Sequence, residues 1–128
     1  MARKTYNAKN ANVSGPYSHA VDAGDFVYFS GQTAMNAANS TSSDMSGDIQ
    51  AQTRQCFANL FDVLEASGLK NEDVVKVNVY LTSMKHFDAM NDVYETQFRE
   101  PFPARTCVAV LELPLGAEVE IEMIARKT

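Results

Sequence analysis

Apolar residues recur along this chain with two different periods, and the change from one to the other marks out its elements. Between Asp48 and Ser67 they fall at Ile49, Cys56, Phe57, Leu60, Val63 and Leu64, with Gln50, Arg54, Gln55 and Asp62 opposite. That spacing predicts a helix, and Gly68 gives it a C-terminal stop. Phe87, Met90, Val93, Tyr94 and Phe98 form a second stripe, which predicts a helix from Met84 to Phe98, ended by Pro101 and Pro103. Between the two, Val74 to Leu81 alternates, with Val75, Val77, Val79 and Leu81 on one face and Lys76, Asn78 and Tyr80 on the other. This is the pattern of a half-buried strand.

Shorter alternating runs flank this middle section. Ala2 to Asn7 reads as a first strand, followed by a loop from Asn10 to Ser18 that Gly15-Pro16 stiffens. His19 to Ala23 and Phe26 to Ser30 read as a hairpin turning at Ala23-Gly24-Asp25. Thr33 to Gly47 is small and polar, which predicts a surface loop with no part in the core. Thr106 to Leu111 and Val119 to Ala125 are the last strands, joined through Leu113-Pro114-Leu115-Gly116-Ala117.

The order βββαβαββ places this chain in the α+β class. Two strand-helix-strand crossovers of the same hand put both helices on one face of one mixed sheet. The other face is left bare, with Tyr and apolar groups among polar ones, and its burial is expected against other subunits. All 128 residues fit a single domain, 1–128, and 45% of them are hydrophobic, enough for one two-layer core.

Composition narrows the function classes. No apolar run reaches membrane-spanning length and the N-terminus has no secretory h-region, so a cytoplasmic protein without membrane attachment is expected. Cys56 and Cys107 lie too far apart for a CxxC motif, and His19 and His86 are not at zinc-ligand spacing, so neither a disulfide framework nor a metal site is expected. The net charge of −5, with basic residues scattered, makes nucleic acid an unfavoured partner. Phosphate-loop, dinucleotide and metalloprotease motifs are absent.

Three places carry candidate chemistry. Pro103-Ala104-Arg105-Thr106-Cys107 sets a guanidinium where a stiff loop enters a strand, and its fork matches a carboxylate, although an ordinary surface Arg fits the segment too. Glu118, Glu120 and Glu122 share one strand face, either as a solvated row or with one carboxylate holding a water or proton near Arg105. Cys107 projects on the same side as Arg105; as a nucleophile it would need a base, for which His19 is the one partner worth naming. Otherwise Cys107 is pocket wall. Cys56 reads as core and His86 as a solvated residue at a helix start.

Taken in order, four segments resemble the RidA (YjgF/YER057c/UK114) family over nearly the whole chain. They are Gly15-Pro16-Tyr17-Ser18, Ser30-Gly31-Gln32, Asn91-Asp92-Val93-Tyr94 leading into Phe102-Pro103-Ala104-Arg105-Thr106-Cys107, and Leu113-Pro114 followed by Val119-Glu120-Ile121-Glu122. Gln52-Thr53, Asn59-Leu60 and Leu64-Glu65-Ala66-Ser67-Gly68 resemble its first helix.

The resemblance implies a chorismate-mutase-like fold, a homotrimer around a central barrel, three clefts between subunits and no cofactor. It implies hydrolysis of reactive 2-imino acids such as 2-iminopropanoate and 2-iminobutanoate, formed from enamines such as 2-aminoacrylate, to 2-keto acids and ammonia. By matching position, Arg105 would bind the substrate carboxylate and Glu120 would orient the attacking water. Tyr17 would cover the cleft from a neighbouring chain, and Ser30, Gly31, Asn91 and Cys107 would line it. His19 stands where the family commonly has Gln, and Thr33-Ala34-Met35-Asn36 replaces a more apolar stretch, which bears on substrate preference. Some relatives are called endoribonuclease L-PSP, so RNA cleavage or translation inhibition is one alternative, and a non-enzymatic carboxylate-binding trimer or chaperone is another.

Overall fold

The computed structural model describes residues 2–9, 15–35 and 48–127. Its elements run β1 (Lys4–Tyr6), β2 (Ala20–Asp22), β3 (Phe26–Gln32), α1 (Ile49–Ala66), β4 (Val74–Leu81), α2 (Phe87–Gln97), β5 (Ala104–Ala109) and β6 (Val119–Arg126), with short 3₁₀ turns before β4, α2 and β6. This is the βββαβαββ order expected. The six strands form one sheet in the order β1-β2-β3-β6-β4-β5. Only β4 and β5 pair in parallel, and every other neighbour is antiparallel.

Local chemistry sets the boundaries. The Asp48 carboxylate caps α1 by accepting from the Ala51 N–H at 2.8 Å, a contact that typically stabilises a helix by about 1 kcal/mol. Gly68 ends it with φ of +78°, a conformation that costs a residue with a Cβ. Both helices lay their apolar stripes on the same sheet face, where Phe57, Leu60, Met90, Val77, Val79, Ile121 and Met123 are almost fully buried. Phe57 stacks against Phe61, Tyr94 and Phe98, each with ring centroids 5.6 Å away, and so joins the two helices. Asn59, also buried in α1, donates to the carbonyls of Thr33 and Met35 at 3.0 and 2.8 Å and pins the chain leaving β3.

Several expectations change. Val75 faces solvent while Val74 is buried, because the β4–β6 register shifts between Val74 and Lys76 and the extra residue bulges outward. β5 runs from Ala104 to Ala109 instead of Thr106 to Leu111: parallel pairing starts right after Pro103 and stops where β4 ends, at Leu81↔Ala109. The stretch expected to stay out of the core contributes Ala34 and Met35, which pack with Ala117 and Leu113 in a second small cluster. Residues 36–47 of that stretch, like 10–14 of the first loop, lie outside the described residues.

The open face of the sheet carries Phe26, Tyr28 and Val108, each well exposed, beside Tyr80, Glu120, Glu122 and the half-buried Ile124. No helix of the described residues is long and apolar enough to cross a membrane.

Candidate functional site

Strand pleating assigns each candidate to a face. Val77 and Val79 of β4 point into the core, and their partners on β5 are Arg105 and Cys107, so these two face the helices. Arg105 lies against α2: its Nη1 donates to Asn91 Oδ1 at 2.6 Å, and its guanidinium carbon sits 4.7 Å from the Tyr94 ring and 5.5 Å from the Phe87 ring. Asn91, Tyr94, Glu95, Phe102, Pro103 and Arg105 line a cavity of about 360 Å³. Among the described residues no carboxylate forms an ion pair with Arg105. A half-buried cation without a counter-charge favours an anionic ligand.

Beside it, burial pushes the Cys107 thiol above its usual range, with the Arg105 charge opposing. The thiol form is therefore favoured, the reverse of what a nucleophilic cysteine needs. Within one chain His19 does not reach it. That residue is buried at the start of β2, where its Nδ1 accepts from the Ala8 N–H at 3.1 Å, and three strands separate β2 from β5.

Glu120 and Glu122 alternate with the buried Val119, Ile121 and Met123, and so lie on the open face. Glu122 Oε2 accepts from Tyr80 Oη at 2.6 Å and from Asn78 Nδ2 at 3.0 Å. Glu120 lies over Gly31, where an added Cβ would stand 2.6 Å from Glu120 Oε2, so no side chain fits at 31 without moving the carboxylate. The register of β3 against β6 shifts between Phe29 and Gln32, which turns Ser30 and Gly31 toward this carboxylate. Ser30 Oγ donates to the Ser18 carbonyl at 2.6 Å and ties down the loop carrying Tyr17. Tyr17, Ser30, Gly31, Met35, Leu115 and Glu120 are among the residues lining a cleft of about 410 Å³. Burial, and then the charge of Glu122, raise the carboxyl of Glu120 above the ordinary range. Such a group exchanges protons closer to neutral pH.

The candidates thus fall into two clusters on opposite sides of the sheet. Arg105, Asn91 and Cys107 meet on the helix side; Tyr17, Ser30, Gly31 and Glu120 meet on the open side. Glu118 joins neither. It precedes β6, so the pleat does not hold it in the row, and it turns to the helices, accepting from Gln52 Nε2 at 3.2 Å and facing His86 Nε2 at 2.9 Å. The expected row of three glutamates is therefore a pair, and His86 is held in that contact instead of being solvated. Tyr80 and Asn78 are neighbours of Glu122 that the sequence pattern did not single out as candidates. Their alternation on β4 was the available signal, lacking only the pairing with β6. Among the described residues no group of three or more His, Cys, Asp or Glu is placed to hold a metal ion.

An antiparallel-dominated sheet of six strands backed by two helices on one face defines an α+β domain. The family model described as Endoribonuclease L-PSP matches residues 8–127, and the chain belongs to that family, the RidA/YjgF family. It is 49% identical over 86% of its length to a protein of Dermatophagoides farinae named 2-iminobutanoate/2-iminopropanoate deaminase, covering 84% of that protein. It is 41% identical to the mitochondrial protein mmf2 of Schizosaccharomyces pombe, across 98% of both chains. Among solved structures, RidA from an Antarctic Psychrobacter superposes with a TM-score of 0.89 at 38% identity, over 98% of this chain and 100% of the other.

Proposed function

We propose that this protein hydrolyses reactive 2-imino acids to 2-keto acids and ammonia, in sites built from two chains of a homotrimer. The observation that carries the reading is the Arg105 guanidinium, held by Asn91 and without a carboxylate partner among the described residues. A substrate carboxylate supplies that partner, and the deaminase name of a relative 49% identical supports the choice. Because Arg105 and Glu120 lie on opposite faces of one sheet, a site holding both draws on two copies. The bare open face, with Phe26, Tyr28 and Val108 exposed, supports an assembly that covers it.

In that site Arg105 grips the carboxylate and turns the imine carbon toward Glu120. As the C–O bond forms, Glu120 takes a proton from the attacking water and passes it to the imine nitrogen, giving a carbinolamine; it then takes the hydroxyl proton and delivers it to the amino nitrogen as the C–N bond breaks, so ammonia leaves and the keto acid remains. A raised carboxyl suits both transfers. The imine is already electrophilic, so positioning and charge complementarity account for the acceleration without a cofactor. Gly31 leaves room for the carboxylate, Tyr17 covers the cleft, and Cys107 is its wall. RNA cleavage, which the family model's description names, is disfavoured because Glu120 and Glu122 in the open-face cleft repel phosphates. The cytoplasm is the proposed location; a fluorescent fusion to the full chain that collects in mitochondria, where mmf2 is named, would overturn it.

The test generates 2-iminopropanoate or 2-iminobutanoate in place with an amino-acid oxidase or dehydratase and follows imine loss. Acceleration by catalytic amounts of protein is expected. None would leave the carboxylate-binding trimer as the better reading, and a stable monomer on sedimentation would sink the two-chain site.

A further inference from the structure

Arg105 is surrounded in an unusual way. Phe87, Asn91 and Tyr94 stand at i, i+4 and i+7 of α2, one stripe facing β5. Two turns of helix separate the aromatic residues, about 10 Å along the axis, and the guanidinium reaches both rings, at 5.5 and 4.7 Å. Aromatic faces attract a cation without occupying its hydrogen-bonding edge. A carboxylate in their place would hold the guanidinium more strongly, but it would fill the fork that a ligand needs. Asn91 Oδ1 takes a proton of Nη1 and fixes rotation within the plane.

We infer that Phe87 and Tyr94 are positioning residues, a two-ring clamp that holds the Arg105 guanidinium ready for an incoming carboxylate while leaving its fork open. The inference rests on the imino-acid reading in taking that carboxylate to be the substrate's. The aromatic ring of Tyr94 does this work, since its hydroxyl is buried and has no hydrogen-bond partner among the described residues. Without the rings a long, flexible side chain must be ordered by the ligand itself, and the lost rotamer freedom appears as weaker binding.

The experiment measures 2-oxobutanoate binding by calorimetry and imine hydrolysis by kinetics in Phe87→Leu, Tyr94→Leu and Tyr94→Phe. The Leu variants should bind roughly 3- to 30-fold more weakly, with KM raised in proportion and kcat little changed at saturation. Tyr94→Phe should restore most of the affinity lost in Tyr94→Leu. The Arg105 Nε–H proton, assigned by its loss in Arg105→Lys, should lose part of its ring-current shift in each Leu variant and keep it in Tyr94→Phe. A general loosening of the fold would not produce that pattern. Tyr94 also packs on Phe57 and Phe98, so if Tyr94→Leu fails to fold, Phe87→Leu at the helix start decides the matter. Equal affinity in the parent and Phe87→Leu, with hydrolysis intact, would overturn the clamp alone. Keto-acid binding that follows the clamp pattern in a protein without hydrolysis would overturn the deaminase reading alone, and a parent that binds no 2-oxobutanoate would overturn both.

Discussion

On the helix-covered face of the sheet, Arg105 is held by two aromatic rings and an amide; on the open face, two strands away, Glu120 sits beside a second carboxylate over a glycine. Each group lies in surroundings that withhold its natural partner. The cation has π faces where an acid would satisfy it, and the carboxyl has burial and a like charge where a base would. In one chain they cannot neutralise each other, because a sheet lies between them. An Arg105–Glu120 pair formed within a chain would fill the fork and lower the affinity of Glu120 for a proton, removing the anion site and weakening the proton acceptor. Separation within the chain preserves both, and in the proposed assembly one from each copy meets the substrate.

The sharpest way to break this comparison is to mix chains. Arg105→Ala and Glu120→Gln proteins should each be inactive as purified. Unfolded together and refolded in equal amounts, random trimers should regain about a quarter of the parent's activity, since that share of two-chain sites receives one intact Arg105 and one intact Glu120. A site within one chain would never be restored, so activity staying at the level of the single variants would refute the division.

Single substitutions sharpen the contrast. Arg105→Lys keeps the charge but not the fork, and should cost about 2 to 4 kcal/mol in kcat/KM, largely through KM. Glu120→Gln should lower kcat by roughly 10²-fold with 2-oxobutanoate binding retained. Glu118→Gln, on the helix side with Gln52 and His86, should leave the rate near the parent's. Equal effects at the two glutamates, or an Arg105→Lys enzyme as fast as the parent, would remove the case for these roles.

How far this was legible in the sequence follows from the physics of each element. Helical stripes and alternating strands depend on local periods, so βββαβαββ and the shared helix face could be read directly. Strand order could not: β6 inserts between β3 and β4 through pairings 38 or more residues apart in the chain. Without that order, alternation alone placed Glu118, Glu120 and Glu122 in one row and gave no sign that Arg105 faces the other way. The bulge at Val75 and the burial of Ala34 and Met35 are likewise long-range effects, the first set by β6 and the second by Asn59 of α1. The roles of Tyr17, Ser30 and Asn91 came from family resemblance, because no period or spacing distinguishes them.

Cys107 gives a smaller effect. Burial raises its thiol, which leaves little thiolate for attack near neutral pH. Cys107→Ser and Cys107→Ala should therefore keep the rate within about tenfold of the parent's, because only the shape of the wall changes. Near-complete loss in both variants, with folding intact, would restore the nucleophile.

The smallest expected effect concerns Glu122, and it tests whether its charge tunes its neighbour. Burial is the first cause of the raised carboxyl at Glu120, and the Glu122 charge is the second. Glu122→Gln removes only the second, so the carboxyl of Glu120 should move part of the way back down. Glu120 must be ionised to accept the proton from water, and the rate falls as pH drops through its titration. The acid limb of kcat should therefore shift to lower pH in Glu122→Gln, with a gain of roughly two- to threefold on the acid side and little change on the alkaline plateau. Tyr80 provides an independent reading of the same charge. Its hydroxyl donates to Glu122 at 2.6 Å, and that bond is the largest cause of its phenol being pushed up to about 12. In Glu122→Gln one phenolate absorbance step should fall back toward the ordinary tyrosine range near 10, and Tyr80→Phe should abolish that step. A moved Tyr80 step with an unmoved acid limb would show that Glu122 holds the open-face network but does not tune Glu120. If both move, the open-face pair works as a coupled unit, while the helix-side cluster around Arg105 should be untouched, with its affinity for 2-oxobutanoate unchanged.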